Sequence, residues 1–201
     1  MLKELFDLVK GNAGEAVINN AAVPNEQNDE VVAEATNTVA SGLRNIVAGG
    51  GLQSLLALFQ GNGADKKSLL GNPIVSMMMG HFAGKLMNKF NMNSEQANSL
   101  SGSLIPGALE SLINKTNDSN DSNFSLEKIL GSITGFKGEN ANVPGASGGL
   151  GDLLSQITSG GQQQSGGGQI LDIIKSLAGG AQQQQQRNGG GLLDLIKGFA
   201  K

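Results

Sequence analysis

The segment that decides the fold is residues 73–90, which read PIVSMMMGHFAGKLMNKF. Its large apolar residues recur at the three- and four-residue spacing of an amphipathic helix. They predict one buried stripe along that helix: Val75, Met78, Met79, Phe82 and Leu86. Proline is favoured in the first turn of a helix, so we expect the helix to begin at Pro73.

Small residues stand four apart on the other side of this helix, at Ser76, Gly80 and Gly84. A face without bulky side chains lets another backbone approach closely. We expect this face to make a close helix crossing within the monomer, and self-association of two chains is the alternative. The run Met77 to Met79 is spread around the helix by its geometry, so we expect it to fill the core rather than to form a binding surface.

The same helical spacing predicts two further long helices. One extends over 29–47 and carries its apolar stripe at Val32, Ala35, Val39, Leu43 and Ile46. The other follows Asn93, which can form a capping box with Gln96, and runs to Leu112. Pro106 is expected to kink or break it. No stretch alternates with period two for long enough to form a strand. The predicted fold is all-α, a small multi-helix bundle.

A possible duplication appears when residues 11–61 are laid over residues 80–135. The overlay pairs Val31 with Leu100 and Leu43 with Leu112. Helical patterns match one another easily, so two related helical repeats and two unrelated helical segments explain the alignment equally well.

The composition changes near residue 116. Residues 117–123 read NDSNDSN, and from Lys137 onward 16 of 65 residues are Gly and 10 are Gln. Such low-complexity segments have little apolar surface to offset the entropy lost on ordering. We therefore predict three parts: a helical domain over 1–116, a linker with a short helix that packs on the domain over 117–136, and a flexible tail over 137–201.

One two-turn pattern, apolar-x-x-apolar-apolar-x-x-apolar, recurs along the chain. It starts at Leu2, Leu52, Leu126, Leu150, Ile170 and Leu192. The last three copies, which we call the tail modules, predict short amphipathic helices. A helix of two turns is marginal in water by itself, so we expect the tail modules to dock on another surface. Their candidate docking residues are Leu153, Leu154, Ile157, Ile173, Ile174, Leu177, Leu195, Ile196 and Phe199.

Catalytic, cofactor-binding and metal-binding residues are not predicted. The string GASGG at 145–149 matches the G-x-S-x-G nucleophile elbow, but it lacks a preceding strand and a later histidine. His81 is the single histidine and the chain has no cysteine, so a zinc site cannot be completed. The acidic stretch 118–127 does not fit the register of a calcium-binding EF-hand loop. We therefore do not expect an enzyme.

Charge and composition argue against two further classes of function. Residues 1–116 hold 8 basic and 10 acidic side chains, and residues 117–201 hold 6 and 7. No basic stripe is present, and without Trp or Tyr there is no stacking platform, so nucleic-acid binding is not expected. No apolar run is long enough to span a membrane, and the acids near the N-terminus do not suit a signal peptide. We expect a cytoplasmic protein.

One stretch of the sequence resembles a known family. Residues 90–97 read FNMNSEQA, and they are followed by Leu100, Leu104-Ile105-Pro106 and Leu109-x-x-Leu112. This run is similar to the YidB-like proteins, a bacterial family of uncharacterised function, in its S-x-E-Q-A-type cap and the leucine–proline step that follows. Here that step is Ile105-Pro106. The resemblance covers residues 1–135. The Gly-bounded leucine modules of the tail are also similar to those of many family members, but less closely. It implies a small all-helical bacterial protein without a settled activity or an active site.

These features together favour a structural or interaction module. Its partner would be a second copy of the chain or an unidentified protein, and the tail modules would dock within or between molecules. Reversible association with a membrane surface is the alternative. Each tail module carries an acid and at most one Lys, so the cationic face that anionic lipids attract is lacking.

Overall fold

A computed structural model describes residues 2–20, 23–60, 65–118 and 124–134, together with Lys175, Ala178, Gly179, Gln182, Gln183 and Gly198. All regular elements among these residues are helical, which confirms the predicted all-α fold. The seven α-helices are α1 (Leu2–Asn12), α2 (Asn28–Ala48), α3 (Leu52–Gln60), α4 (Lys66–Leu70), α5 (Pro73–Phe90), α6 (Ser94–Asn117) and α7 (Leu126–Thr134). A π-helical turn at Gly14–Ile18 and a 3-10 turn at Asn25–Gln27 connect α1 to α2.

Helix α2 lies at the centre of the bundle. It packs against α1, α3, α5, α6 and α7, so it is buried on more sides than the predicted single stripe requires. Val31, Ala33 and Ala40 lie outside that stripe and are buried. Buried Thr36 and Thr38 donate their hydroxyl hydrogens to carbonyl oxygens of the preceding turn, which satisfies both polar groups inside the core.

Helices α5 and α6 form an antiparallel pair whose junction follows the sequence prediction. Helix α5 begins at Pro73 and ends at Phe90, and Asn91 adopts the left-handed conformation that closes it (φ 55°). The capping box that starts α6 is present. The Asn93 side chain accepts a hydrogen bond from the Gln96 backbone at 2.9 Å, and the Asn93 backbone donates to the Gln96 side chain at 3.2 Å.

Pro106 is expected to kink or break this helix, and of these two expectations the break is wrong. Helix α6 continues through the proline to Asn117, five residues beyond the predicted end at Leu112. A proline inside a helix costs a backbone hydrogen bond, but here it lies on a buried face with Ile105 and Leu109. The packing of α6 on α5 and α1 therefore holds the helix together across the lost bond.

The segment after α6 also contributes to the core. Phe124, Ile129 and Leu130 are buried, and α7 packs on α2. The Lys115 ammonium lies 5.5 Å from the centre of the Phe124 ring, which orients the chain as it enters α7. The hydrophobic core thus extends from α1 to α7 as one continuous cluster.

The element order of the first half recurs in the second. Helices α1, α2 and α3 have 11, 21 and 9 residues, and α5, α6 and α7 have 18, 24 and 9. The second and third helices of the two series therefore match in length, and the first helices do not. The four residues that the overlay pairs, Val31 with Leu100 and Leu43 with Leu112, are all buried. This order is the one that a duplication would produce.

Candidate docking groove between α2 and α5

A groove with a volume of about 140 Å³ lies between α2 and α5. We call it the α2–α5 groove. Helix α2 lines one wall with Thr38, Ser41, Gly42, Asn45 and Ile46. Helix α5 lines the other wall with Ile74, Met77, Met78 and His81. The walls are apolar at the centre and carry hydroxyl, amide and imidazole groups at the edges.

The floor of the groove is formed by the contact between Gly42 and Met78. A Cβ atom added to Gly42 would lie 2.6 Å from Met78 Cε and 2.8 Å from its Cγ, closer than such atoms can approach. The absence of a side chain at Gly42 is therefore what lets Met78 lie flat across α2, where it is almost fully buried. A close approach of this kind is a common reason for glycine inside a helix.

At the mouth of the groove, one large apolar side chain is unusually exposed. Met77 is 66% exposed, more than any other large apolar residue in the described part of the chain. Ile46 and Ile74 beside it are only partly buried. A single exposed apolar residue is ordinary on a protein surface, but three around one concave site form an apolar lining. This lining could receive another apolar side chain.

His81 lies at the edge of the groove and is exposed. The sequence placed it at the boundary of the apolar stripe, and the structure agrees. The described residues contain no group of three or more histidine, aspartate or glutamate side chains that could hold a metal ion. The groove therefore provides packing surface and hydrogen-bonding groups rather than a set of acid–base or metal-binding residues.

An ion cluster fixes α5 to α2 on the far side of Met78. The carboxylate of Glu34 on α2 contacts the Lys85 and Lys89 ammonium groups of α5, each at 2.5 Å. Burial by itself would raise the pKa of Glu34, but the hydrogen bonds and charges of the two lysines outweigh it and hold the pKa below its ordinary value. The cluster sets the relative position of the two helices that form the groove.

A tail residue reaches the end of α2 next to the groove. The Gln182 side-chain amide donates a hydrogen bond of 3.1 Å to the Ala48 carbonyl. The last four carbonyls of a helix have no partner within it. Here Gly49, Gly51 and Gly50 donate their backbone N–H groups to Asn45, Ile46 and Val47 in turn. Gln182 donates to the fourth carbonyl, that of Ala48, so the tail completes the C-terminal cap of α2.

The sequence predicts a close helix crossing at Ser76, Gly80 and Gly84, and among the described residues this prediction is wrong. A Cβ atom added to Gly80 or Gly84 would meet no heavy atom within 4 Å, and Ser76 and Gly80 are exposed. Helix α5 packs on its neighbours through its bulky face, and the small residue that allows close approach is Gly42 on the partner helix. Self-association through the small-residue face stays a prediction.

The methionine run divides three ways. Met78 is buried and Met79 is partly buried, as the prediction of core filling requires. Met77 is exposed at the groove, so for this residue the prediction is wrong.

All nine candidate docking residues of the tail modules lie outside the described residues: Leu153, Leu154, Ile157, Ile173, Ile174, Leu177, Leu195, Ile196 and Phe199. Sequence reasoning missed the groove because its two walls come from helices far apart in the chain.

Comparisons of the chain with protein-family models, with curated proteins and with solved structures found no match. Among the described residues, no helix is both long enough and apolar enough to cross a membrane.

Proposed function

We propose that this protein is a non-enzymatic interaction module that holds a short amphipathic helix in the α2–α5 groove. The observation that carries the proposal is the solvent-exposed Met77 at the mouth of a groove whose floor is the buried Met78 on Gly42. An apolar groove between two helices is a common receptor for the apolar face of a third helix, which inserts residues spaced three and four apart.

The length of the groove suits a helix of two turns. Its lining on α2 runs from Thr38 to Ile46, which is about 12 Å at a helical rise of 1.5 Å per residue. A two-turn module such as Ile170 to Leu177 covers about 11 Å on the same basis. Met77 supports this use because a methionine side chain adapts its shape to the group that packs on it.

The edges of the groove suit the polar face of such a helix. His81 on α5 carries an exposed imidazole, and Ser41 on α2 carries a hydroxyl that donates to the Thr38 carbonyl and can still accept a hydrogen bond. Polar groups around an apolar anchor site provide orientation while the anchors provide most of the binding free energy. One two-turn helix binds weakly, and several tethered copies raise the overall affinity through effective concentration.

The wider assignment rests on the sequence. We propose a cytoplasmic protein related to the YidB-like family, on the residues from Phe90 to Leu112. Its partner is a second copy of the chain or another protein that carries amphipathic helices, and nucleic acid is not a partner. Membrane-surface association is the alternative, and co-sedimentation of the intact chain with anionic vesicles tests it.

The binding test uses the full chain with its own modules disabled. Replacing the nine candidate docking residues of the tail by serine gives a tail-polar variant in which those modules no longer compete. A fluorescent peptide of residues 168–179 is then titrated against this variant and followed by anisotropy. We expect saturable binding, which the same peptide with Ile173→Ser and Ile174→Ser should lack.

A matched pair of variants locates the binding surface. Met77→Glu, introduced into the tail-polar variant, places a charge at the mouth of the groove and should weaken peptide binding tenfold or more. Met87→Glu places the same charge on the same helix, at a methionine that does not line the groove. It should leave binding unchanged. Equal losses in both variants, or binding in neither, would contradict the proposal.

A further inference from the structure

The first step is the position of Gln182. Its hydrogen bond to Ala48 brings the tail to the end of α2, two residues beyond Ile46 in the groove wall. Two residues of helix correspond to about 3 Å. The tail is therefore already at one end of the groove through a contact within the same chain.

The second step is reach. The module Ile170 to Leu177 ends five residues before Gln182, and Ala178, Gly179 and Gln182 are helical. Five residues at the helical rise span about 7.5 Å, which is more than the distance of about 3 Å along α2 from Ala48 to Ile46. The far end of the groove at Thr38 lies ten residues before Ala48, about 15 Å along α2. The module can therefore lie along the whole groove while Gln182 keeps its bond.

The third step concerns the residues near the module that the structure describes. Lys175 and Ala178 are helical; Lys175 is exposed, and Ala178 is partly buried. At 100° per residue, Lys175 lies about 140° around a helix from the centre of the apolar stripe of the module, and Ala178 about 80°. Of these two residues, the exposed one is therefore the one on the polar side of the predicted helix.

We propose that the Ile170–Leu177 module of the same chain docks in the α2–α5 groove, which is open among the described residues, and so masks it from other helices. This inference rests on the proposed function, because it assigns an occupant to the same groove. A short tether gives an effective concentration in the millimolar range, so even weak docking is populated within one chain. A partner helix then has to displace the module before it can bind.

The absence of cysteine from the chain allows a direct test. Met77→Cys and Ile174→Cys are introduced together into the full chain. A disulfide forms only when the two Cα atoms approach within about 7 Å. Under mild oxidation we expect an intramolecular disulfide in most molecules, seen as a reductant-sensitive monomer band of altered mobility, at a yield independent of protein concentration.

The matched control pairs Ile174→Cys with Met87→Cys, which lies on α5 away from the groove. It should form little intramolecular disulfide under the same conditions. A third variant adds Gln182→Ala to the Met77–Ile174 pair, and should slow disulfide formation several-fold because the tail loses its anchor. Circular dichroism of the reduced variants verifies that the helical domain is unchanged.

The other outcomes separate the two proposals. A disulfide-linked dimer whose yield rises with concentration would place the module of a second copy in the groove and would overturn the inference within one chain. No specific disulfide, together with peptide binding to the tail-polar variant, would also overturn it while the docking function stands. If both the disulfide and the peptide binding are missing, both proposals fall.

Discussion

The two faces of α5 differ in a way that their sequences do not suggest. The face with Val75, Met78, Phe82 and Leu86 is buried against the bundle, whereas on the opposite face a Cβ atom added to Gly80 or Gly84 would meet no heavy atom within 4 Å. Regularly spaced small residues permit a close crossing but do not cause one in water, where burial of apolar area drives packing. Close approach arises where a small residue meets a large one, as Gly42 meets Met78.

The largest effect should come from the buried face. Phe82 is fully buried, and Phe82→Ala should lower the free energy of unfolding by about 3–5 kcal/mol, because it removes a ring from the core and leaves a cavity. Met77→Ala on the exposed side of the same helix should change it by less than about 0.5 kcal/mol. Urea unfolding measures both. Similar losses in the two variants would show that Met77 belongs to the core of the helical domain.

The two kinds of glycine give the second comparison. Gly42→Ala should cost about 1–3 kcal/mol, because the new methyl group displaces Met78. Gly80→Ala should stabilise by up to about 1 kcal/mol, because alanine favours the helix and meets no neighbour. Thermal unfolding shows the opposite signs. A lower melting temperature for Gly80→Ala would mean that this face is packed in the intact protein, as the self-association alternative requires.

The third comparison concerns the ion cluster that joins the helices. Glu34→Gln should cost about 1–2 kcal/mol at neutral pH, since it removes a buried charge that accepts bonds from two lysines, both partly in contact with water. Asp7→Asn removes an exposed pair with Lys3 and should leave the free energy of unfolding almost unchanged, because solvent screens that pair. An equal loss at the two sites would mean that the Glu34 cluster is as screened as the surface pair.

The same cluster predicts a pH dependence. The pKa of Glu34 is lower in the folded chain than in the unfolded chain, so its stabilisation is present above the ordinary glutamate pKa and is lost as the pH falls through the lowered value. The stability difference between the wild type and Glu34→Gln should therefore shrink between pH 6 and pH 3. A difference that is constant or grows on acidification would contradict the assignment.

The smallest stability effect should accompany a large binding effect. Met77→Glu should leave the melting temperature of the full chain within about 1 °C, because Met77 is not part of the core of the helical domain. Its effect on docking is measured in a chain that carries Ile74→Cys in the groove and Ile174→Cys in the tail module. In that chain, Met77→Glu should abolish the disulfide between the two cysteines. A contact that survives Met77→Glu would place the module elsewhere on the domain.

Local sequence features predicted the helices well. The start of α5 at Pro73 and the cap at Asn93 depend on residues within one turn, so they are readable from sequence. The central position of α2 could not be predicted from the sequence. Its residues Val31 and Ala40 become buried only because α1, α5 and α7 surround the helix. A glycine inside an otherwise continuous α2 was the one signal of the groove, and it marks the Met78 contact.

The central claim is that the tail module covers Met77 while Gly80 and Gly84 stay open. The methyl resonances of the six methionines report it directly in the full chain. Spectra are compared between the wild type and a variant with Ile173→Ser, Ile174→Ser and Leu177→Ser. We predict that the Met77 and Met78 methyl signals shift and that those of Met87 and Met92, outside the groove, stay in place. Unchanged Met77 and Met78 signals would contradict the account.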